Sequence, residues 1–226
     1  MAVNVDTFTV EGFAIVRDVL HARACRAIVR LTQPASGHSG GTRNLLTYPW
    51  CAALARRLRR HHLLEKIIPA SHVAVQCTYF EKSTSRNWLV PFHQDLSIPV
   101  TNRVQHSDLR GWSEKEGSCF VHGPIEVLEQ LVTVRLHLED CTMHDGPLRL
   151  IPGTHTDGQI QSEAAIRLRT ERSEFTCHAE QGTALVMRPL VLHASSKATG
   201  MGRRRVLHFV FGPRLLSHGL RWQYAV

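Results

Sequence analysis

The spacing of apolar positions divides the chain in two. Over the first 70 residues the repeat is mainly helical. "HARACRAIVRLTQ" (21–33) sets Ala24, Ile28 and Val29 on one side. "PWCAALARRLRRHHLLEKIIP" (49–69) sets Leu54, Leu58 and Leu63 or Leu64 against a basic face. Between them, "PASGHSGGTRN" (34–44) reads as a Gly/Ser-rich loop. "GFAIVRDVL" (12–20) reads as a short strand running into a turn.

From residue 72 the repeat becomes two. "HVAVQCTYF" (72–80), "LVPFHQDLSIPV" (89–100), "TALVMRPLVLHASS" (183–196) and "RRVLHFVFG" (204–212) read as strands or extended chain, and "PLRLIPGTH" (147–155) as a strand and turn. In "LEQLVTVRLHLED" (128–140), Leu131, Thr133, Arg135 and His137 share one face and Val132, Val134, Leu136 and Leu138 the other. Residues 101–126 lack clear periodicity and read as a long loop, kept ordered as a lid by Trp112, Phe120 and Val121. The polar 157–174 segment reads as carrying a short helix. No repeat or linker interrupts the chain. The expectation is one domain over residues 1–226, with a mostly helical part (1–70) packed on a β core (71–215) of about seven or eight antiparallel strands.

Composition narrows the function. The chain has 226 residues, 43% of them hydrophobic, enough for a substantial core. No apolar run approaches the roughly 20 residues that span a bilayer. "MAVNVDTFTVEGF" lacks the basic and apolar regions of a signal peptide, so a cytoplasmic protein is expected, with no membrane partner. Six cysteines fall singly, without CxxC, and read as reduced, buried thiols. The net charge of +8 invites a nucleic-acid reading. Much of the excess lies in "RRLRRHH" (56–62), which has the spacing of a solvated helix face, and in "RRR" (203–205). No nucleic-acid motif accompanies either. A basic surface that draws in an anionic or zwitterionic small molecule fits as well.

Three polar residues, His93, Gln94 and Asp95, interrupt the apolar strand "VPFHQDLSIPV" (90–100). On extended chain, residues i and i+2 share a face, so the imidazole of His93 and the carboxylate of Asp95 can converge. His193 ends another apolar run one hundred residues later. Two His and one carboxylate on one face of an octahedral ion form the donor set of non-haem Fe(II) oxygenases, which leaves three positions for other ligands. The set also accommodates Mn, Co, Ni or Zn. Eleven residues on, Arg204 can hold a carboxylate through two parallel hydrogen bonds.

Taken together in order and spacing, "NWLVPFHQD" (87–95), "DGPLRLIPGTH" (145–155), "GTALVMRPLVLHASS" (182–196) and "RRRVLHFVF" (203–211) make the chain resemble the phytanoyl-CoA dioxygenase family of Fe(II)- and 2-oxoglutarate-dependent oxygenases. The resemblance runs from about residue 76 to the end. It implies a mainly β fold with flanking helices around a double-stranded β-helix, a jelly-roll or cupin-like barrel. It makes His93, Asp95 and His193 the iron ligands, and Arg204 the partner of the distal carboxylate of 2-oxoglutarate. Alternation favours Arg204 over Arg203 and Arg205: Arg204 shares a face with Val206, His208 and Val210, whereas Arg205 falls with Leu207, Phe209 and Phe211 on the helix-packed side. Gln94 and Ser195 match positions near the co-substrate, as more loosely do Thr78 and Arg135. Asn87, Trp88 and Trp112 are expected at the pocket mouth, as contacts to the substrate. His137 and His208 are candidates for the barrel interior, and His155 for a structural turn. The implied reaction uses Fe(II), 2-oxoglutarate and O2 to hydroxylate, demethylate or desaturate a small metabolite, releasing succinate and CO2. Asp95 argues against halogenation, which needs a small residue there. A cupin-like metal isomerase is the alternative, and Arg204 with Ser195 is what that alternative would not need. A monomer or homodimer is equally compatible with the sequence.

Overall fold

The computed structural model describes residues 5–32 and 41–226. Most of the expected loop at 34–44 therefore lies outside the described residues. The N-terminal part comprises α1 (Val5–Glu11), β1 (Phe13–Val16), α2 (Ala22–Thr32), β2 (Gly41–Thr42) and α3 (Pro49–Arg59). The strands and helices that follow are β3 (His72–Lys82), β4 (Val90–His93), β5 (Ser97–Val100), β6 (Ser113–Lys115), β7 (Ser118–His122), α4 (Ile125–Leu128), β8 (Val132–His137), β9 (Leu148–Leu150), α5 (Ser162–Glu171), β10 (Phe175–Thr176), β11 (Ala184–Met187), β12 (His193–Ser195) and β13 (Arg204–Pro213).

A six-stranded antiparallel sheet, in the order β1-β11-β8-β13-β3-β2, faces a four-stranded antiparallel sheet ordered β10-β9-β12-β4. Period two decides what each face does. The outward residues of β8 (Val132, Val134, Leu136), β13 (Leu207, Phe209, Phe211) and β11 (Ala184, Val186) form one cluster with Cys25 and Ile28 of α2 and Leu54 and Leu58 of α3. The opposite face turns polar residues inward: Thr133 and Arg135 of β8, Arg204 and His208 of β13, Gln76 and Thr78 of β3. A register shift between Val210 and Phe211 leaves Val75 out of the pairing, so Ala74 and Cys77 both reach the helical side. The jelly-roll core and the helices flanking it thus follow the expected pattern. Among the described residues no helix is long and apolar enough to cross a membrane. All six cysteines are unpaired, and five of them are buried.

Two expectations change. Residues 101–126 are not one long loop: β6 and β7 form a hairpin that adds to β5 as a third sheet ordered β5-β7-β6. Its turn is Glu116-Gly117, with φ of +52° and +72°. Tight hairpins need positive φ at both central residues, usually supplied by Asn-Gly or Asp-Gly, and Glu-Gly is a weaker signal of the same geometry. The Glu116 carboxylate then accepts hydrogen bonds from Thr42 Oγ1 (2.9 Å), Arg43 N (2.8 Å) and Arg43 Nη1 (3.2 Å), tying the hairpin tip to β2. The run 183–196 is not one strand either. Pro189 has no N–H to give a ladder, and around it the chain crosses from the large sheet (β11) to the small one (β12). Just before β11, Gly182 has φ +86°, and a Cβ there would stand 1.9 Å from the Leu20 carbonyl oxygen, so only glycine fits.

Candidate active site

The two facing sheets enclose a cavity of about 420 Å³. β4 and β12 are antiparallel neighbours, and their register sets His193 directly opposite His93. The two rings lie 4.3 Å apart, centroid to centroid. β4 ends at His93, so Asp95 belongs to the turn that follows rather than to the strand face expected of it. That turn is fixed by a hydrogen bond from Asp95 N to the Pro189 carbonyl (3.0 Å), which links it to the sheet crossing. The carboxylate returns to the same point: Oδ1 is 3.6 Å from His93 Nε2, and Oδ2 is 3.6 Å from His193 Nε2.

Both imidazoles are oriented in the same way. His93 Nδ1 contacts the Pro91 carbonyl (2.9 Å) and His193 Nδ1 the Val191 carbonyl (2.8 Å), in each case two residues back. A carbonyl can only accept, so each Nδ1 carries a proton and each Nε2 is the nitrogen turned toward Asp95, the one a metal would take. The 3.6 Å gaps are too long for direct hydrogen bonds. Ligands about 2.1 Å from a common ion lie ~3.0–3.4 Å apart, so a small contraction closes this set around a metal. Burial opposes the charge on Asp95. The contact with the His93 ring outweighs it and holds the carboxyl well below the usual range, and the same contact raises His93. Burial also drops His193 to about 4, which keeps its Nε2 free of a proton. The residues therefore suit a first-row divalent ion with one open side, toward the cavity.

The inner end is strongly basic. Arg204 is 3% exposed, and its Nη1 donates to the Gly146 carbonyl. Ser195 Oγ donates to the same carbonyl (3.0 Å) and accepts from Lys82 Nζ (2.7 Å), which also reaches the Ser196 carbonyl. Gly146, in the "DGPL" turn, is held at φ +63°, where a Cβ would meet the Ser196 carbonyl oxygen at 2.5 Å. Glycine is thus what lets this turn approach β12 and orient Arg204. Arg135 stacks over Phe80 (5.4 Å), and burial with nearby Arg204 lowers it only to about 10, so it stays cationic. Neither Arg204 Nε nor Arg135 Nε has a partner among the described residues. Lys82 is 1% exposed, and burial together with Arg204 and Arg135 brings it down to about 7.

The structure brings together His93, Asp95, His193, Ser195, Arg204, Thr78, Arg135 and Trp88 around one cavity. Arg203 is exposed, and Arg205 points outward to pair with Glu139 (3.4 Å). Gln94 borders the cavity, but its amide is committed elsewhere. It donates to the Gly158 and Leu190 carbonyls (both 2.8 Å) and accepts from Ile160 N (2.8 Å), stapling the 158–160 loop to the metal-site turn. Asn87 and Trp112 do not line the cavity. Asn87 exchanges two hydrogen bonds with the Ala198 backbone (2.7 and 2.8 Å), and Trp112 packs against the apolar cluster that contains Ile98, Val100 and Leu109, with Arg103 over its ring.

His155 contacts the Thr9 carbonyl (3.2 Å), consistent with a structural turn. His137 is interior but does not reach the cavity. His208 does, with Nε2 3.8 Å from Asp95 Oδ2. Lys82 went unnoticed in the sequence. It continues the inward alternation Gln76, Thr78, Phe80, which was the available signal.

A profile of the phytanoyl-CoA dioxygenase (PhyH) family matches residues 8–206. The chain belongs to the phytanoyl-CoA dioxygenase family. It is therefore a non-haem Fe(II)- and 2-oxoglutarate-dependent oxygenase, with O2 as oxidant. Solved structures agree on the fold. The non-haem α-ketoglutarate-dependent carbocyclase SnoK from nogalamycin biosynthesis is 14% identical (TM-score 0.67), with 92% of this chain and 82% of that one covered. HygX from Streptomyces hygroscopicus, with nickel and 2-oxoglutarate bound, is 15% identical (TM-score 0.65, 92% and 85% covered). EctD from S. alaskensis is 16% identical (TM-score 0.66, 97% and 84% covered). No curated protein sequence matches the chain. In this family member the barrel, the His/Asp/His set and the inner arginine occur in one cavity.

Proposed function

We propose that this enzyme oxidises an unactivated C–H bond of an anionic small metabolite at an Fe(II) ion held by His93, Asp95 and His193. The observation that carries the reading is the convergence of three donors whose two imidazole tautomers are already set by backbone carbonyls. Bound Fe(II) supplies O2 activation coupled to decarboxylation of 2-oxoglutarate; for hydroxylation, R–H, O2 and 2-oxoglutarate give R–OH, succinate and CO2. The chain's own residues bind and orient. Arg204 takes the distal carboxylate, with Ser195 and Thr78 beside it and Lys82 adding charge from behind Ser195. Gln94 acts as a positioning residue for the metal-site turn. Trp88, Phe80 and Leu148 wall off water.

The balance of charge in the cavity supports an anionic substrate. Fe(II) and the 2-oxoglutarate dianion cancel, and Asp95 offsets Arg204. Arg43, at the mouth, is paired with Glu116 (3.2 Å). Arg135 and Lys115 also line the cavity, and neither has a carboxylate at ion-pair distance among the described residues. A carboxylate or phosphate on the substrate would supply the missing charge.

Two experiments test these readings. Without O2, protein loaded with Fe(II) and 2-oxoglutarate should show the weak visible charge-transfer absorption of a chelated keto acid, and admitting O2 should release succinate. Iron bound with no such absorption would overturn the oxygenase reading. A panel of metabolites, each paired with its neutral amide or ester, should then stimulate succinate release mainly as the acids. Equal stimulation by the neutral partners would refute the anionic assignment while leaving the oxygenase reading intact.

A further inference from the structure

A second cluster of imidazoles and carboxylates joins the β5–β6 connection to the segment after β13. His106 and Asp108 come from the 101–112 connection between β5 and β6, and His218 from the segment after β13. The rings of His106 and His218 lie 4.2 Å apart, centroid to centroid, with His106 Nε2 and His218 Nδ1 separated by 3.2 Å. Asp108 Oδ2 is 3.8 Å from the other ring nitrogen, His106 Nδ1, which accepts a hydrogen bond from Asp108 N (3.3 Å). One donor atom from each of the three lies within 4.8 Å of the others. Glu126 stands behind His218, with Oε1 3.7 Å from its Nε2, and accepts from Ser217 Oγ (2.9 Å). His218 has φ +54° and is followed by Gly219 at +72°, a left-handed turn that carries its ring back toward His106.

We propose that His106, Asp108 and His218 form a second metal site, for Zn(II) or a similar borderline ion, that clips the 101–112 connection to the C-terminal segment. Imidazole nitrogens about 2.0–2.1 Å from a tetrahedral ion lie ~3.3 Å apart, close to the 3.2 Å between His106 Nε2 and His218 Nδ1; Asp108, which faces the other nitrogen of His106, would join that pair by a side-chain rotation. Two imidazoles and one carboxylate suit Zn(II), Co(II) or Ni(II), and a fourth position is left for water or for Glu126 after a rotamer change.

The two clipped segments are already neighbours. Thr101 N donates to the Arg221 carbonyl (3.0 Å), Gln223 N donates to the Pro99 carbonyl (3.2 Å), and Val100 bridges Trp222. Trp222 packs with Ile98 and Val100 of β5, and Ile98 and Pro99 line the catalytic cavity. The clip would therefore brace one wall of that cavity from outside. It is independent of the facial set, because no residue is shared.

Co(II) is a suitable probe, since its visible absorption reports on coordination. Chelator-stripped protein should bind two equivalents of Co(II). Either His106→Ala or His218→Ala should reduce this to one and remove the stronger, tetrahedral-type absorption. Asp95→Ala should leave that absorption in place. Zn(II) should raise the Tm of the stripped Asp95→Ala chain but not that of Asp95→Ala with His106→Ala. His106 is exposed and His218 half-buried, and circular dichroism of both variants checks that the fold is kept. One equivalent bound by the unaltered chain, or two equivalents retained after His106→Ala and His218→Ala together, would overturn the proposal.

Discussion

Asp95→Ala is expected to abolish succinate formation and to weaken binding at the catalytic metal by more than about 100-fold. The scale follows from outer partners of metal ligands, which alone are worth roughly 10–100-fold. Asp95 does more than an outer partner, since it is the one anionic donor of the set and faces His93, His193 and His208 at 3.6, 3.6 and 3.8 Å. Without it, two neutral imidazoles remain in a cavity that also carries Arg135, Arg204 and Lys115, and a dication is repelled rather than held. The fold should survive. The turn depends on backbone bonds such as Asp95 N to Pro189, and removing a carboxylate that faces the cavity opens no hole in the core. Iron titration followed by single-turnover succinate assay reads both effects, with circular dichroism as the control. Full turnover by Asp95→Ala would show that another residue completes the metal set.

Much of this arrangement was legible in the sequence, for a physical reason. A strand that packs on helices with one face and lines a polar cavity with the other declares its two faces by alternation. In β8 and β13 one face is aliphatic or aromatic and the other carries Arg135, Arg204 and His208. Alternation alone therefore separates Arg204 from Arg205, and the structure puts Arg205 outside against Glu139. What escaped depends on contacts between distant segments. The β6–β7 hairpin rests on a Glu-Gly turn whose Glu is engaged by Thr42 and Arg43, more than 70 residues away. Gln94, between His93 and Asp95, reads in the sequence as a co-substrate contact. Its amide instead serves backbone groups of residues 158, 160 and 190, which no local pattern foretells. Trp112 follows the same logic, having been drawn into an apolar cluster by the hairpin.

Arg204→Met should raise the KM for 2-oxoglutarate by about 30-fold to several thousandfold, with a smaller change in kcat at saturation. Removing one partner of a buried, hydrogen-bonded charge pair costs about 2–5 kcal/mol, and each 1.4 kcal/mol is tenfold. Arg205→Met is the matched control. Its side chain is on the outer face, so the KM should not move. An unchanged KM in Arg204→Met would transfer the role to Arg135. The same end of the cavity should leave a pH signature through Lys82, which titrates at about 7 and whose Nζ is held by Ser195 Oγ. Below that pH the ammonium is charged and attracts the dianion, and above it the charge is lost. The KM for 2-oxoglutarate should therefore rise as pH passes upward through about 7 in the unaltered enzyme. The rise should flatten in Lys82→Met, in which no proton remains to be lost at that position. Because Arg135 and Arg204 stay cationic throughout this range, a residual pH dependence of equal size in Lys82→Met would place the titrating group on the metal side of the cavity instead.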